Sequence, residues 1–164
     1  MNAIRLATHH DLPRLVEIYN QAISAHNATA DTVPFVIGQR RAWFDSHLPD
    51  STPIYVYEFD HLVLGYLSIS PYRDRPALVR TAEVSYYVDY GYHGRGIGSS
   101  LMGHALDDCS RLGKHILLAI LLECNQPSIR LLEKFNFEKW GFLPEVANFS
   151  GALYGHLYYG RKMV

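Results

Sequence analysis

A glycine-rich turn in the middle of the chain separates a strand-like pattern from a helix-like pattern. Ala82–Val88 is rich in the β-branched and aromatic residues that suit a pleated surface. Beyond the turn, apolar residues recur at intervals of three and four, the spacing of one helix face. A helix that begins directly after a flexible bend presents unpaired backbone N–H groups, and these favour an anion such as a phosphate. The glycines are Gly91, Gly94, Gly96 and Gly98, and the apolar helix positions are Ile97, Leu101, Met102, Ala105, Leu106, Cys109 and Leu112.

Periodicity and turn residues also predict the other elements. The strand, helix and buried strand around the glycine turn indicate a parallel pair, whereas the earlier hairpin is antiparallel, so we expect a mixed sheet and an α/β (α+β) fold. Gly113 and Asn136 are the predicted ends of the last two helices. The further strands are Ile4–Ala7, Pro53–Glu58, Val63–Ser70, His115–Leu122, Glu138–Leu143 and Tyr154–Met163, and the further helices run from about Leu12 to Ile23, Gln39 to His47 and Pro127 to Phe135.

Length and charge narrow the class of protein. The chain has 164 residues and a formal net charge of −1, which fits one domain over residues 1–164 and provides no basic footprint for nucleic acid or for a membrane surface. Its two cysteines lie in apolar patterns, which argues against a disulfide scaffold and for a reducing compartment. No apolar leader opens the sequence, and no apolar run is long enough to cross a bilayer. We therefore expect a soluble, cytoplasmic protein.

Two common phosphate-binding patterns do not fit the glycine turn. The dinucleotide pattern G-x-G-x-x-G lacks its third glycine, because Ser99 stands there. The P-loop requires a lysine after its second glycine, but Ile97 follows Gly96. A third pattern, Q/R-x-x-G-x-G/A, fits at both glycine places, with His93 where Gln or Arg is usual. A plain turn without a ligand is the alternative.

The loop PYRDRPALVRTA carries two arginines one residue apart. Arg73 and Arg75 lie between Pro71 and Pro76, and such a pair can bind a carboxylate with paired hydrogen bonds. A solvated charged loop is the alternative interpretation.

Several motifs occur in a fixed order along almost the whole chain. They are IYNQAI, TADTVP, RRAWF, GYLSISPYRDRPA, TAEVSYYV, HGRGIGSSL, NQPSIRLLEKFNF and YYGRKM. Together with the order of elements, they resemble the GCN5-related N-acetyltransferase (GNAT) family, and within it the phosphinothricin and methionine sulfoximine acetyltransferases. The resemblance implies a mixed sheet of six to seven strands flanked by four helices, with two central strands that splay apart.

The resemblance also implies acetyl-CoA as cosubstrate and no metal. The pantetheine would lie beside the strand that ends at Val88, and the pyrophosphate on the glycine turn. His93 would either donate to a phosphate when protonated or only fill the turn. Asn125 and Ser128 would approach the pantetheine, although helix capping alone also explains them. The implied cofactor-binding residues are Tyr87, Val88, His93, Gly94, Arg95, Gly96, Ile97, Gly98, Ser99, Ser100, Asn125 and Ser128.

Direct acetyl transfer to an amine needs a base, and the resemblance assigns this role to Glu83. A carboxylate between Ala82 and Val84 is partly desolvated, which raises its pKa toward a value useful for removing a proton from an ammonium group. A structural glutamate paired with Arg80 is the alternative. A backbone N–H near Val88 would stabilise the oxyanion.

Two positions bear on the leaving thiolate and on the route of transfer. Leu132 stands where many relatives carry a tyrosine that acts as the general acid, so we expect water to protonate the thiolate. Cys124 is not needed as a nucleophile, since transfer in the family is direct, and a small buried hydrophobic residue is its simpler role.

The same resemblance implies a small amino acid as acceptor and a homodimer with active sites near the subunit interface. Arg73 and Arg75 would bind the acidic groups of the acceptor, and Phe35 would form another wall. The aromatic C-terminal strand could contribute to the dimer contact, although burial in the core explains it equally well.

Two other functions stay open: a GNAT enzyme with another amine acceptor (a polyamine, an aminoglycoside or a protein N-terminus) and a non-catalytic CoA-binding module. The arginines disfavour a cationic acceptor, and Glu83 disfavours a non-catalytic module.

Overall fold

The fold is a seven-stranded mixed sheet with four α-helices, as the sequence predicts. The computed structural model describes residues 1–163, and Val164, the last residue of the predicted domain, lies outside them. The α-helices are α1 (Leu12–Ala25), α2 (Ile37–Asp45), α3 (Ile97–Asp108) and α4 (Gln126–Lys134). The strands are β1 (Asn2–Leu6), β2 (Ile54–Phe59), β3 (Leu62–Pro71), β4 (Thr81–Val88), β5 (Ile116–Leu122), β6 (Glu138–Phe149) and β7 (Ala152–Lys162). No helix within residues 1–163 is long and apolar enough to cross a membrane.

The strands lie in the order β1-β2-β3-β4-β5-β7-β6. Only β4 and β5 run parallel, and α3 connects them, whereas every other neighbouring pair is antiparallel. The hairpin of β2 and β3 is confirmed, and it turns at Asp60 and His61, which both have positive φ angles of 45° and 65°. The C-terminal strand β7 therefore lies inside the sheet, and β6 forms the edge.

Two apolar cores cover opposite faces of this sheet. Consecutive side chains of a strand point to opposite faces, so Tyr66 joins one core and Leu67 joins the other. The core with Tyr66 includes Leu15 and Ile18 of α1, and the core with Leu67 includes Leu101 of α3. Thus α1 and α2 lie over one face of the sheet, and α3 and α4 lie over the other.

The central helix ends earlier than the apolar repeat predicts. α3 stops at Asp108, whereas the repeat continues through Cys109 and Leu112, which are both buried. The last turn is not α-helical, because Cys109 N–H donates to the carbonyl of Leu106 and Lys114 N–H donates back to the carbonyl of Cys109. Gly113 has a φ of 65° and ends this irregular turn rather than the helix itself.

The predicted end of β6 is also wrong. The strand continues past Leu143 to Phe149, across a register shift between Leu143 and Ala147 that contains Pro144 and Glu145. A proline costs no ladder hydrogen bond at an edge or a bulge, so it interrupts the local pattern without ending the strand. Smaller differences of one or two residues occur at the ends of β1 and α2.

Candidate active site

A cleft opens in the middle of the sheet where β4 and β5 separate. Their parallel ladder contains only the pairs Thr81–Ile116, Ala82–Leu117 and Glu83–Leu118. Beyond Glu83, β4 continues along β3, while β5 continues along β7. The predicted splay of two central strands is therefore confirmed.

The edge of β4 that faces the cleft carries unpaired backbone groups. The Asp89 N–H donates to the carbonyl of Leu64 at 2.9 Å, so odd-numbered residues of this stretch direct their backbone groups toward β3. Backbone direction alternates along a strand, so Val84, Tyr86 and Val88 direct their backbone groups toward the β5 side. The Val84 N–H belongs to the last step of the β4–β5 ladder, and the groups beyond it that face the cleft are those of Tyr86 and Val88. A ligand with amide groups can pair with this edge as an additional strand does.

The cleft has a volume of about 520 Å³ and reaches from the glycine turn to the first turn of α4. Arg95 and Ser100 are the two predicted cofactor residues that do not line it. The Arg95 guanidinium lies over the ring of Tyr92 at 5.0 Å, and the Ser100 hydroxyl donates to the carbonyl of Gly96 at 3.1 Å. The predicted cofactor residues that do line the cleft are Tyr87, Val88, His93, Gly94, Gly96, Ile97, Gly98, Ser99, Asn125 and Ser128.

The glycine turn leaves the start of α3 open to an anion. Gly94 and Gly96 have φ angles of 76° and 80°, a left-handed conformation that favours glycine. Gly96 is the N-cap of α3 and provides no side-chain cap, so the first N–H groups of the helix are not satisfied in that way. Lys134 adds a positive charge beside them, because its Nζ donates to the Ser99 hydroxyl at 3.0 Å. Backbone amides, helix dipole and this lysine together favour a phosphate.

His93 closes the glycine turn against the end of β4. Its Nε2–H donates to the carbonyl of Val88 at 2.9 Å, and its ring lies 4.3 Å from the ring of Tyr90. The imidazole thus donates a hydrogen bond to a carbonyl of β4 that has no partner in the sheet, and this bond fixes the turn to the strand.

Asn125 caps α4 and also faces the cleft. Its Oδ1 accepts a hydrogen bond from the backbone N–H of Ser128 at 3.3 Å, with Pro127 in the first turn. Its Nδ2 has no partner among residues 1–163 and remains available at the cleft wall. Capping and ligand contact are therefore compatible at this residue.

Glu83 lies where the two strands part, and its side chain is half-buried. Within residues 1–163 the carboxylate has no hydrogen bond and no ion pair. Burial raises its pKa above the ordinary value, and the positive charge of Arg73 opposes this rise. Arg80, the alternative partner considered from the sequence, instead contacts Nε2 of His115. The geometry gives a carboxylate that takes up a proton more readily than an exposed one.

The two arginines of the β3–β4 loop are exposed and do not share a partner. Arg73 lies over the ring of Tyr72 at 4.8 Å, and its charge acts on Glu83. Arg75 directs its backbone N–H to the carbonyl of Arg73 and begins a short 3₁₀ turn over Pro76–Leu78. The structure therefore brings Arg73 toward Glu83 and gives Arg75 no contact with it.

Phe35 is held on the face of the sheet that α1 covers. Asn20 fixes its backbone, since Nδ2 donates to the Phe35 carbonyl and Oδ1 accepts from the Phe35 N–H, both at 2.9 Å. Its ring lies 5.9 Å from the ring of Tyr19, and the guanidinium of Arg40 lies 5.3 Å from its centre. Phe35 thus forms a wall beside α2.

One face of α2 extends this wall toward Glu83. The Arg40 guanidinium stacks on the ring of Trp43 at 4.0 Å, and the Trp43 carbonyl accepts the Nδ1–H of His47 at 2.7 Å. With Nδ1–H donating to the Trp43 carbonyl, Nε2 of the neutral ring accepts the Ser70 hydroxyl at 3.1 Å, and burial lowers the pKa of this histidine. Ser70 pairs directly with Glu83 across the β3–β4 ladder. His47, two residues beyond the end of α2, therefore contacts the cross-strand neighbour of Glu83.

Similarity to known proteins shows the family of this chain. Residues 13–137 match the family described as Acetyltransferase (GNAT) family. The chain belongs to this GNAT acetyltransferase family. Its relatives include YwnH of Bacillus subtilis (strain 168), 39% identical over 161 residues and covering 98% of each chain, and the phosphinothricin N-acetyltransferase of Streptomyces coelicolor, 32% identical over 164 residues and covering 98% of this chain and 95% of that one.

A solved structure supports the choice of cosubstrate for this GNAT enzyme. The Salmonella typhimurium protein yncA, solved with its cofactor acetyl-CoA, superposes with a TM-score of 0.93 at 28% identity, over 99% of this chain and 94% of that one. The protein is accordingly an acyltransferase of the phosphinothricin N-acetyltransferase type within the GNAT family.

Sequence reasoning missed two parts of this GNAT site. The first is the wall of Arg40, Trp43 and His47, although their spacing along RRAWFDSH places them on one helix face. The second is Tyr86, whose hydroxyl lies near the first turn of α4. No local signal distinguishes Tyr86 from the other tyrosines of the chain, because only the folded sheet brings it to α4.

Proposed function

We propose that the protein transfers the acetyl group of acetyl-CoA directly to the α-amine of a small amino acid or analogue, of the phosphinothricin or methionine sulfoximine type. One observation carries this proposal. Glu83 is a half-buried carboxylate with a raised pKa, and it lies where the cofactor cleft opens. The β3–β4 loop that carries Arg73 and the contact between His47 and Ser70 meet at the same place.

The residues of the cleft fit acetyl-CoA. The N–H and C=O groups of Tyr86 and the N–H of Val88 suit the amides of the pantetheine, and Asn125 and Ser128 face them from α4. The turn His93–Ser99 and the start of α3 suit the pyrophosphate. We include Arg95 and Ser100 in the cofactor site on the family resemblance alone. When bound, acetyl-CoA supplies an activated acetyl thioester.

Glu83 acts as the general base in this proposal. An ammonium group cannot attack a carbonyl carbon, so the carboxylate removes a proton directly or through one water molecule. Its raised pKa favours this proton transfer near neutral pH. The Val88 N–H points into the cleft and donates to the acetyl oxygen as negative charge develops there.

The acceptor site lies on the α1 and α2 side of the sheet in this proposal. Arg73 and Arg75 bind the acidic groups of the amino acid, and Phe35 borders its side chain. The relative from Streptomyces coelicolor, named for phosphinothricin, supports an acceptor of this kind. A polyamine or aminoglycoside acceptor is less favoured, because Arg40, Arg73 and Arg75 place positive charges around the entrance.

A panel of amines tests the proposed function. CoA release is measured with phosphinothricin, methionine sulfoximine, spermidine, an aminoglycoside and a peptide with a free N-terminus. We expect turnover with the two amino-acid analogues and little with the others. Turnover with spermidine alone would reject the acceptor class, and acetyl-CoA binding without turnover on any amine would support the non-catalytic module.

We also propose that this single domain forms a homodimer through the edge of the sheet. The strand β6 has unpaired backbone groups, and its side chains Trp140, Phe142, Leu143 and Val146 are all exposed. An exposed apolar edge strand is a surface that proteins usually cover. The C-terminal strand β7 is not that surface, because it lies inside the sheet. Light scattering after size exclusion measures the mass, and a monomer at high concentration would reject the dimer.

A further inference from the structure

Tyr86 reaches the cofactor cleft from β4. Its backbone N–H and C=O face the cleft, and its ring lies on the α3 and α4 side of the sheet, against the larger core. The hydroxyl donates to the carbonyl of Ser128 in α4 at 3.5 Å. That distance is the long limit for a hydrogen bond, so the hydroxyl is weakly held. Buried tyrosine hydroxyls usually have a closer partner, which suggests that a ligand provides one.

The Ser128 carbonyl also shows where this hydroxyl lies along α4. In an α-helix each carbonyl points toward the N–H four residues later, so the carbonyl of Ser128 points toward Leu132. The side chain of Leu132 is fully buried and offers no donor. The Tyr86 hydroxyl, which lies at the Ser128 carbonyl in the first turn of α4, is an O–H group on this side of the cleft.

The other phenol and imidazole side chains of the cleft lie away from this place, and its nearest polar neighbours are Asn125 and Ser128 of the first turn of α4. Tyr90, Tyr92, His93 and Ser99 belong to the glycine turn and to the start of α3, at the opposite end of the cleft from the strand separation. Tyr87 points to the other face of the sheet, where its ring contacts Tyr66 at 5.5 Å. Tyr86 is the remaining phenol near the point where β4 and β5 part.

We propose that the Tyr86 hydroxyl donates a hydrogen bond to the sulfur of CoA and stabilises the thiolate as the C–S bond breaks. The proposal rests on the proposed function for its cosubstrate, and it concerns only the donor half of the reaction. The amine nitrogen, which has already given one proton to Glu83, forms the new N–C bond and gives its second proton to water. The sulfur leaves with the electron pair of the C–S bond, is held by the Tyr86 O–H, and takes a proton from water.

Electrostatics are consistent with a donor that keeps its own proton. Burial raises the pKa of Tyr86 to about 12, and contact with Ser128 opposes this rise. A free thiol of the cysteine type has a pKa of about 8.5. Tyr86 therefore remains an O–H group through the whole range in which a thiol becomes a thiolate.

Titration of bound CoA tests this proposal without turnover. Ultraviolet absorbance of the thiolate gives the pKa of the CoA thiol bound to wild-type protein and to Tyr86→Phe, which keeps the ring and removes the hydroxyl. Tyr57→Phe is the matched control, because its hydroxyl contacts Asn2 on β1, far from the cleft along the sheet. We expect the thiol to bind its proton about tenfold more tightly in Tyr86→Phe than in wild type or the control.

Desulfo-CoA, which lacks the sulfur, distinguishes this role from packing. We expect Tyr86→Phe to bind desulfo-CoA within about twofold of wild type, and kcat with any acceptor that wild type uses to fall about 10- to 100-fold. An unchanged thiol titration, or equal losses of affinity for CoA and desulfo-CoA, would overturn the proposal. If wild type acetylates no amine, the proposed function fails, while the titration still decides the role of Tyr86. The pKa of the bound thiol and the ratio of the affinities for CoA and desulfo-CoA are each obtained within one variant, so a partly unfolded fraction does not alter these two results.

Discussion

Glu83 and Leu118 are the last residues that pair β4 with β5. From this pair onward the strands diverge, and the free edge of β4 becomes one wall of the cofactor cleft. The proposed base is therefore placed by the same feature that opens the site. A carboxylate at this position has the cofactor cleft on one side and the contact between Ser70 and His47 on the other.

Replacement of the base is the first test of this arrangement. We expect Glu83→Gln to lower kcat several hundredfold at neutral pH, within the ~10²–10⁴ range of acid–base groups, while acetyl-CoA still binds. In wild type the rate should increase as pH rises through the raised pKa of Glu83, because only the carboxylate accepts the proton. Steady-state kinetics across pH measure both effects, and an unchanged rate would exclude Glu83 as base.

The same substitution should increase stability at neutral pH. The pKa of Glu83 is higher in the folded protein than in the unfolded chain, so the folded state binds the proton more tightly. The stability that this group contributes is fully present at a pH below its pKa in the unfolded chain. It is lost as the pH rises through its pKa in the folded protein. Glu83→Gln removes that loss, and we expect its Tm to exceed that of wild type by roughly 1–4 °C at pH 7. The difference should disappear at a pH below the ordinary pKa of a glutamate, and a Tm below wild type at pH 7 would contradict the account.

Arg73 and Arg75 should have separable effects. The charge of Arg73 lowers the pKa of Glu83, so Arg73→Gln should move the acid side of the pH–rate profile to higher pH. Arg75 has no such contact, and Arg75→Gln should instead raise KM for the amino acid far more than KM for acetyl-CoA. Arg75→Gln is the control for the pH shift, because both arginines are proposed to bind the acceptor and only Arg73 acts on the pKa of Glu83. Equal increases in both KM values for Arg75→Gln would reject its role in binding the acceptor.

His93 should matter as a hydrogen-bond donor to the end of β4. Loss of its bond to the Val88 carbonyl in His93→Ala should weaken acetyl-CoA binding about 2- to 10-fold, the equivalent of one hydrogen bond of about 0.5–1.5 kcal/mol. Glutamine also carries an N–H donor, so His93→Gln should recover most of the affinity. Calorimetric titration measures both, and equal affinities in the alanine variant and wild type would show that the imidazole only fills the turn.

Gly155 on β7 should tolerate no side chain. A Cβ there would lie 2.6 Å from Cζ of Phe142 and 2.8 Å from the carbonyl oxygen of Leu143, and backbone cannot move away easily. We expect Gly155→Ala to lower the free energy of unfolding by about 1–3 kcal/mol. Gly38→Ala is the matched control, because nothing lies within 4 Å of its Cβ in α2, and it should raise stability by about 0.5–1 kcal/mol. Urea denaturation measures both changes, and equal effects would reject the close approach of β6 and β7.

Most elements could be predicted from the sequence because their signals are local. The apolar repeat after Gly96, the hairpin turn at Asp60 and His61 and the left-handed Asn136 each depend on a few neighbouring residues. The two errors have different causes. The end of α3 is set locally, because Lys114 N–H donates to the carbonyl of Cys109 five residues earlier, and the apolar repeat does not report this change in hydrogen bonding. The continuation of β6 depends on pairing with β7.

The sequence by itself determined the glycine turn, the order of the elements and the motifs that identify the family. Only the tertiary structure decided where the pairing of β4 and β5 stops, that His47 contacts Ser70, the cross-strand neighbour of Glu83, and that the Tyr86 hydroxyl reaches α4. These relationships join residues up to about 40 positions apart, and side-chain periodicity reports only which face a residue occupies within its own element. The distance between faces of different elements is set by packing of the whole sheet.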